Sequence, residues 1–155
     1  MRAPVTRDYA LSSHPKGGLY VLYAENEAVE LDDYFGKLLW VDYAAEWCSY
    51  CDRQARTLRS LERKYAGEVD FLTVVTGTAQ VMEPPTATTA RAWASRYRLE
   101  PQQVIARFST DRLPLNLFYA PDGSLLFSHS GLMSQRQVED VLRTHGASAA
   151  GKPRR

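Results

Sequence analysis

The sequence predicts an α/β domain in which helices cover a mixed β-sheet. Two hydrophobic patterns alternate along the chain: short aliphatic and aromatic runs, and longer stretches with an apolar residue at every third or fourth position. Gly and Pro residues separate these segments. The resulting order is strand, strand, helix, strand, helix, strand, strand, helix, which favours a sheet with helices on its faces.

The predicted strands are short runs with strand-forming composition. Residues 19–23 are rich in aromatic and β-branched side chains. Residues 38–43 and 69–75 are nearly continuous apolar runs, which is typical of strands buried on both faces. Residues 115–119 and 124–129 flank Pro121-Asp122-Gly123, a sequence with the turn chemistry of a β-hairpin.

The helices are predicted by periodicity and by their end signals. After Cys48 the apolar positions recur at helical spacing until Gly67, at Cys51, Ala55, Leu58, Leu61 and Tyr65. A second helix is expected at residues 89–97 and a shorter one at 102–108. The capping box Ser134-x-x-Gln137 opens a last helix that stops at Gly146.

The 155 residues fit one domain, which we place at 19–146. Residues 1–18 are expected to form a flexible arm and 147–155 a flexible tail, while the acidic stretch 25–33 is interpreted as a solvated connection. The 19 basic and 18 acidic residues nearly balance, which argues against nucleic-acid binding. No segment approaches the ~20 apolar residues of a membrane-spanning helix.

The chain has two cysteines, and they form the motif Cys48-x-x-Cys51. A disulfide framework needs several separated cysteines, and a closed zinc site needs four ligands. Because the three histidines (His14, His129 and His145) are far from the pair in sequence, neither scaffold is indicated, and the histidines are not expected to be ligands or bases. So short a loop also constrains the unfolded chain little. The pair is therefore interpreted as reactive.

The position of the motif between a buried strand and a helix has a chemical consequence. Cys48 lies at the helix N-terminus, where free N–H groups and the helix dipole stabilise a thiolate. Cys51 follows on the same face and can resolve a mixed disulfide formed at Cys48. Two inert buried thiols, or half of a metal site, are the alternatives.

Residues 39–51, with the run Trp47-Cys48-Ser49-Tyr50-Cys51 at their end, resemble the active-site segment of the thioredoxin superfamily. The resemblance extends over residues 19–145 and includes Leu113-Pro114 and the Pro121-Asp122-Gly123 hairpin. It implies a thioredoxin-like fold with a mixed central sheet. The extra residues between 75 and 114 form an insertion before the cis-Pro strand, and with the lead-in at 31–37 they resemble the TlpA/ResA-like branch of thiol-disulfide oxidoreductases.

The resemblance also implies roles for single residues. Cys48 would be the nucleophile and Cys51 the resolving thiol. Asp42 would lie beneath them, with a pKa raised by burial, and accept the proton of Cys51; otherwise it is a polar residue at a strand edge. Trp47 would cover the disulfide and contact substrate, unless it is simply part of the core. Glu46 is a second candidate for proton transfer.

Substrate binding is expected at the cis-proline loop. Pro114 would be cis and lie beside Cys48, and the backbone of Leu113 would pair with an extended substrate segment. Ser49 and Tyr50 stand where thioredoxin has Gly-Pro, a dipeptide that tunes the redox potential. The resemblance therefore leaves the direction of electron flow open, and we favour a reductase.

The expected partners are protein thiols and disulfides and an upstream dithiol protein that donates electrons. No phosphate-binding loop or dinucleotide fingerprint is visible, so no cofactor and no metal are predicted. Three alternatives remain: glutaredoxin-like or isomerase-like activity, suggested by Ser49-Tyr50; a non-catalytic adaptor; and delivery of a soft ion such as Cu(I) by two thiolates. We expect a monomer in the periplasm, with a signal or anchor removed, or alternatively in the cytoplasm.

Overall fold

The computed structural model of the protein describes residues 20–23 and 28–148. Within these residues seven strands form one mixed sheet, in the order β2-β1-β5-β4-β3-β6-β7, and three α-helices pack on it. The predicted α/β class with a mixed central sheet is confirmed. The strands are β1 (Tyr20–Tyr23), β2 (Ala28–Glu30), β3 (Leu38–Ala45), β4 (Val69–Gly77), β5 (Val104–Ala106), β6 (Leu115–Tyr119) and β7 (Leu125–Ser130). The helices are α1 (Ser49–Lys64), α2 (Ala87–Tyr97) and α3 (Gln135–Thr144).

The centre of the sheet is β3, which is paired on both edges. It runs parallel to β4, with Trp40 opposite Phe71, and antiparallel to β6, with Trp40 opposite Phe118. Every residue from 39 to 45 is buried. The nearly continuous apolar run seen in the sequence is therefore that of a strand enclosed on both faces.

The predicted helix at 102–108 is wrong. The turn Pro101–Gln103 is 3-10 helical, and the next three residues form β5, which runs parallel to β4 and antiparallel to β1. Val104 and Ile105 are fully buried there. A three-residue apolar run fits the periods of a strand and of a helix equally well. It forms a strand here because it pairs with the edge of β4 that β3 does not occupy.

The acidic stretch is also more ordered than a solvated connection. Its residues 25–27 lie outside the described part of the chain, but β2 pairs with β1, and Leu31–Tyr34 form a 3-10 turn. Leu31 is almost fully buried, whereas Asp32 and Asp33 are exposed. The arm 1–18 and residues 149–155 of the predicted tail lie outside the described residues as well, while Ala147 packs in an apolar cluster.

The helix starts follow the predicted caps. Cys48 is the N-cap of α1, and Ser134 accepts a hydrogen bond from the Gln137 N–H at the start of α3, so the capping box is confirmed. The apolar stripe of α1 is buried as its spacing predicts. Thr86 caps α2, which starts two residues earlier than predicted.

Helices α1 and α3 are joined by charged and polar side chains around Glu139. Its carboxylate accepts hydrogen bonds from Lys64 Nζ at 2.8 Å, Tyr65 Oη at 2.6 Å and Arg143 Nη2 at 3.0 Å. Burial alone raises the pKa of Glu139, but the hydrogen bonds from Lys64 and Tyr65 lower it to about 2. Glu139 is therefore ionised at neutral pH and ties α3 to the end of α1.

A second buried polar network links β3, α1, β6 and the segment before α3. Trp40 Nε1 donates to Asn116 Oδ1 at 3.0 Å, and Asn116 Nδ2 donates to Gln54 Oε1 at 3.1 Å and to the Gly131 carbonyl at 3.3 Å. Gln54 in turn accepts from the Met133 N–H at 2.9 Å and donates to the Met133 carbonyl at 3.1 Å. Because Gln54 and Asn116 are fully buried, these bonds replace those to water.

We predict that Asn116→Ala destabilises the fold by about 2–4 kcal/mol, because it leaves Trp40 Nε1 without its acceptor in the interior, removes one of the two donors to Gln54 Oε1 and opens a cavity. Denaturant unfolding measures the loss. The control is Gln102→Ala, an exposed amide outside the network, which should change the free energy of unfolding by less than about 0.5 kcal/mol. Equal effects of the two substitutions would contradict the role given to the network.

Candidate active site

The two cysteines meet at the point where the chain leaves β3 and enters α1. Cys48 and Cys51 form a disulfide. The Cys48 N–H donates to the Ala45 carbonyl at 3.1 Å, which fixes the turn between strand and helix. Cys48 retains 7% of its surface exposed, whereas Cys51 has none. An incoming thiol or disulfide can therefore reach Cys48 but not Cys51.

The backbone at this helix start favours negative charge on the outer sulfur. The N–H of Cys51 points at Cys48 Sγ from 3.2 Å, as the N-cap position dictates. When the disulfide is reduced, this N–H and the helix dipole stabilise the Cys48 thiolate. This geometry favours Cys48 over Cys51 as the sulfur that acts as nucleophile, and as leaving group in the reverse direction, in a thiol-disulfide exchange.

Large exposed side chains surround the disulfide. Trp47 is 42% exposed and Tyr50 57% exposed, and Ser49 is exposed between the cysteines. The Trp47 N–H donates to the Thr78 carbonyl at 3.1 Å. A Cβ on Gly77 would lie 3.0 Å from Trp47 Nε1, so glycine at the end of β4 leaves room for the indole.

Asp42 is buried in the middle of β3 and not at a strand edge. It is 1% exposed, and neither carboxylate oxygen has a hydrogen-bond partner among the described residues. Its neighbours across the sheet are Thr73 and Asn116, and the side-chain amide of Asn116 is already engaged with Gln54. Burial raises the pKa of Asp42 to about 8.

The alternation of side chains along β3 places Asp42 on the face that carries the disulfide. Ala44 lies two residues further on and packs in one apolar cluster with Cys48, Cys51 and Ala55. Asp42 and Ala44 share a face, because strand residues two positions apart point the same way. The carboxyl group therefore lies on the side of the sheet covered by α1.

The loop before β6 reaches the same cluster. The Leu113–Pro114 peptide bond is cis, and Pro114 is buried. The Gly131 N–H donates to the Pro114 carbonyl at 2.7 Å, which anchors the loop to the end of β7. Leu113 packs against the cluster that contains Cys48 and Cys51, so the cis-proline loop and the disulfide share one apolar cluster.

Helix α2 is a neighbour of the disulfide that the sequence did not identify as part of the site. Its residues Ala90, Trp93 and Tyr97 belong to the same apolar cluster as the cysteines. Tyr97 Oη donates to Asp52 Oδ1 at 2.5 Å, and this hydrogen bond lowers the pKa of Asp52. The shared face of Trp93 and Tyr97 was visible in the sequence, but what that face covers depends on the crossover from β4 to β5.

The structure also locates Glu46 and two of the three histidines. Glu46 is exposed, His129 lies exposed on β7, and His145 caps α3 against the Phe118 ring. His14 is outside the described residues. Within residues 20–23 and 28–148, no group of three or more His, Cys, Asp and Glu side chains is placed to hold a metal ion.

We predict that stability falls as the pH rises through the range in which Asp42 ionises. The folded pKa of about 8 lies above the ordinary aspartate pKa of 3.8, so the folded state binds the extra proton. The contribution is fully present below pH ~4 and is lost as the pH rises towards 8. Asp42→Asn should remove this slope and stabilise the protein at pH 7 by as much as about 4 kcal/mol.

Denaturant unfolding across pH 4–9 measures the slope, with Asp70→Asn as the control, because Asp70 is an exposed aspartate on β4. The control should keep the wild-type pH dependence. A wild-type curve identical to that of Asp42→Asn would refute the raised pKa.

Comparison with solved structures places this arrangement among known folds. No protein-family model matches the sequence, and no curated protein is significantly similar to it. A secreted disulfide oxidoreductase of Mycobacterium tuberculosis, homologous to E. coli DsbE, aligns with a TM-score of 0.64 at 14% identity, over 86% of this chain and 99% of that one. The exposed lipoprotein thioredoxin Etrx1 of Streptococcus pneumoniae aligns with a TM-score of 0.60 at 18% identity, over 81% and 98%.

StoA of Bacillus subtilis is a further similar structure, with a TM-score of 0.56 at 13% identity over 79% of this chain and 94% of that one. At sequence identities this low, the alignments show a similarity of fold and nothing more. Nearly the whole length of each of the three known proteins is matched. The chain has a thioredoxin-like fold, with its Cys48–Cys51 disulfide at the first turn of α1 and a cis-proline loop that packs against the same apolar cluster.

Proposed function

We propose that the protein is a thiol-disulfide oxidoreductase that exchanges the Cys48–Cys51 pair with protein substrates. The observation that carries this proposal is the disulfide at the start of α1, with Cys48 reachable from solvent and Cys51 enclosed. A single accessible sulfur at a helix N-terminus is the arrangement that directed exchange requires. The similar structures support it, since they include proteins described as disulfide oxidoreductases.

In the reducing direction the exchange has two steps. The Cys48 thiolate attacks a substrate disulfide, forms a mixed disulfide and releases one substrate sulfur as a thiolate. Cys51 then attacks the sulfur of Cys48, which forms the Cys48–Cys51 bond and releases the second substrate sulfur. The substrate gains two electrons and the protein loses two, so a separate dithiol protein must reduce the pair again.

Asp42 is proposed as the proton acceptor for Cys51. Cys51 must lose its proton before it can attack, and it has no contact with solvent. The buried carboxyl group of Asp42 lies on the face of the sheet that α1 covers, has no hydrogen-bond partner among the described residues, and has its pKa raised to about 8. A group with a pKa near the working pH both accepts and returns a proton readily.

Substrate is proposed to dock on the exposed rim around Cys48. Trp47 and Tyr50 offer apolar surface, Ser49 lies between the cysteines, and the backbone of Leu113 is available for strand-like pairing. The buried ring of Pro114 has no N–H to donate and closes that side of the site.

An extracytoplasmic location is proposed, specifically the periplasm. The support is that similar structures include a secreted oxidoreductase and an exposed lipoprotein. In the described part of the chain, no helix is long and apolar enough to span a membrane. We further propose that the protein acts as a monomer.

The first test is trapping of the intermediate. Cys51→Ser cannot resolve the mixed disulfide, so it should accumulate a covalent adduct with a disulfide substrate such as insulin, visible on a non-reducing gel. Cys48→Ser should form no adduct and lose insulin reduction. Retained activity in Cys48→Ser would contradict the proposal and favour a non-catalytic adaptor.

The second test addresses direction and uses the equilibrium of the pair with a glutathione series. We expect a reduction potential near thioredoxin's ~−270 mV, as a reductase requires, whereas a value near DsbA's ~−120 mV would show an oxidant. Rapid reduction of glutathione mixed disulfides in preference to protein disulfides would favour glutaredoxin-like activity. Copper retained by the reduced form against a competing chelator would favour metal delivery instead.

A further inference from the structure

A groove of about 490 Å³ between α1 and the end of α2 is lined almost entirely by cationic side chains. Those from α1 are three and four residues apart and therefore share one face of the helix. Tyr97 forms part of the floor, with the guanidinium groups of Arg56 and Arg96 at 5.7 and 5.4 Å from its ring centre. The five arginines that line the groove are Arg56, Arg59, Arg63, Arg96 and Arg98.

The acidic groups near the groove do not balance its charge. Asp52 pairs with Arg56 at 3.3 Å and with Arg96 at 3.5 Å, and Glu62 lies 3.9 Å from Arg59. Arg63 and Arg98 form no ion pair with any described residue, and both are exposed. Since the whole chain has 19 basic and 18 acidic residues, positive charge is concentrated locally in this groove.

Two of the lining arginines have unusual features: Arg59 has an unused hydrogen-bond donor, and Arg98 has a strained backbone. The Nε–H of Arg59 is buried and has no acceptor among the described residues. Arg98, the C-cap of α2, has φ 57° and ψ 44°, a left-handed conformation that favours glycine. An arginine in that conformation is unfavourable for the backbone, yet it directs an additional unpaired guanidinium into the lining.

We propose that this groove binds an extended, carboxylate-rich segment of the protein whose disulfide is exchanged at Cys48. Guanidinium forks match carboxylates in geometry as well as in charge. From Arg56 to Arg63 the lining runs for ~10 Å along α1, which suits several successive side chains of an extended segment better than one small anion. That the partner is a disulfide substrate rests on the proposed function. That the bound segment is acidic follows from the arginine lining alone.

The groove also lies where such a partner would pass. Arg56 follows Ser49, which is exposed between the cysteines, by seven residues, so the two lie on the same face of α1 about 10 Å apart. A substrate bound at the exposed rim can therefore extend into the groove. Nucleic acid is a poorer fit, because its binding surfaces usually carry a broad basic excess, which a chain of net charge +1 lacks.

Binding is measured by fluorescence anisotropy with a labelled peptide of alternating Glu and Ser and a neutral twin with Gln in place of each Glu. We expect binding of the acidic peptide only, weakening as the salt approaches physiological ionic strength. The double variant Arg63→Gln/Arg98→Gln should bind about tenfold more weakly. The matched control, Arg53→Gln/Arg136→Gln, removes two exposed arginines outside the groove and should bind like the wild type.

Arg98→Gly separates loss of binding from loss of folding. Glycine relieves the left-handed strain, so the melting temperature should rise while the affinity for the acidic peptide falls. Equal affinity of the acidic and neutral peptides, or an equal loss in the control double variant, would overturn the proposal. Tighter binding of single-stranded DNA or of anionic lipid vesicles than of the acidic peptide would overturn it as well.

A kinetic comparison keeps this inference distinct from the proposed function. Two disulfide-linked peptides are offered to the reduced protein, one flanked by Glu residues and one by Gln residues. Faster reduction of the Glu-flanked peptide, lost in Arg63→Gln/Arg98→Gln, supports the groove. Equal rates for both peptides overturn the groove alone, whereas no reduction of either peptide refutes the proposed activity.

Discussion

The enclosure of β3 on both edges and both faces is the constraint on which the rest of the structure depends. With β4 on one side and β6 on the other, every residue of this strand from 39 to 45 is buried. A carboxyl group at its centre must therefore lose its charge or find a partner, and no described residue forms a hydrogen bond with the Asp42 carboxylate. The strand also ends at a defined point, so the chain can turn within three residues to place Cys48 at the start of α1.

Residues of several strands and of α1 position the segments that surround the disulfide. Gly77 at the end of β4 leaves room for the Trp47 ring, and Gly131 holds the carbonyl of Pro114. The network of Trp40, Asn116 and Gln54 joins β3 to β6 and α1 just below the cysteines. Because these hydrogen bonds are buried, breaking them is costly, and they hold β3, β6 and α1 in fixed relative positions.

Charge is distributed unevenly in a chain whose totals almost cancel. On one side of α1 the interior holds an Asp42 carboxyl group that burial keeps largely protonated. On the side towards α2, several arginines line an exposed groove. Tyr97, which also lines this groove, donates a hydrogen bond to Asp52. Net charge describes the behaviour of a protein at long range, whereas a partner in contact meets the local arrangement.

The sequence by itself determined the class of the fold, the central strand, all three helices and the position of Cys48 and Cys51 at a helix start. These features depend on local periodicity and on capping residues, such as Ser134 with Gln137, which act within a few positions of each other. Even so, the three residues of β5 resembled a short helix, because so short an apolar run has no distinctive period.

Only the tertiary structure decided that β5 lies beside β4 in the sheet and that β2 pairs with β1. It also decided that Asp42 has no hydrogen-bond partner among the described residues and that α2 packs in one apolar cluster with the disulfide. The arginine groove belongs to the same group, since Arg56 and Arg96 are 40 positions apart in the chain. Strand pairing, burial and shared surfaces depend on which distant segments meet, and local sequence patterns do not encode that choice.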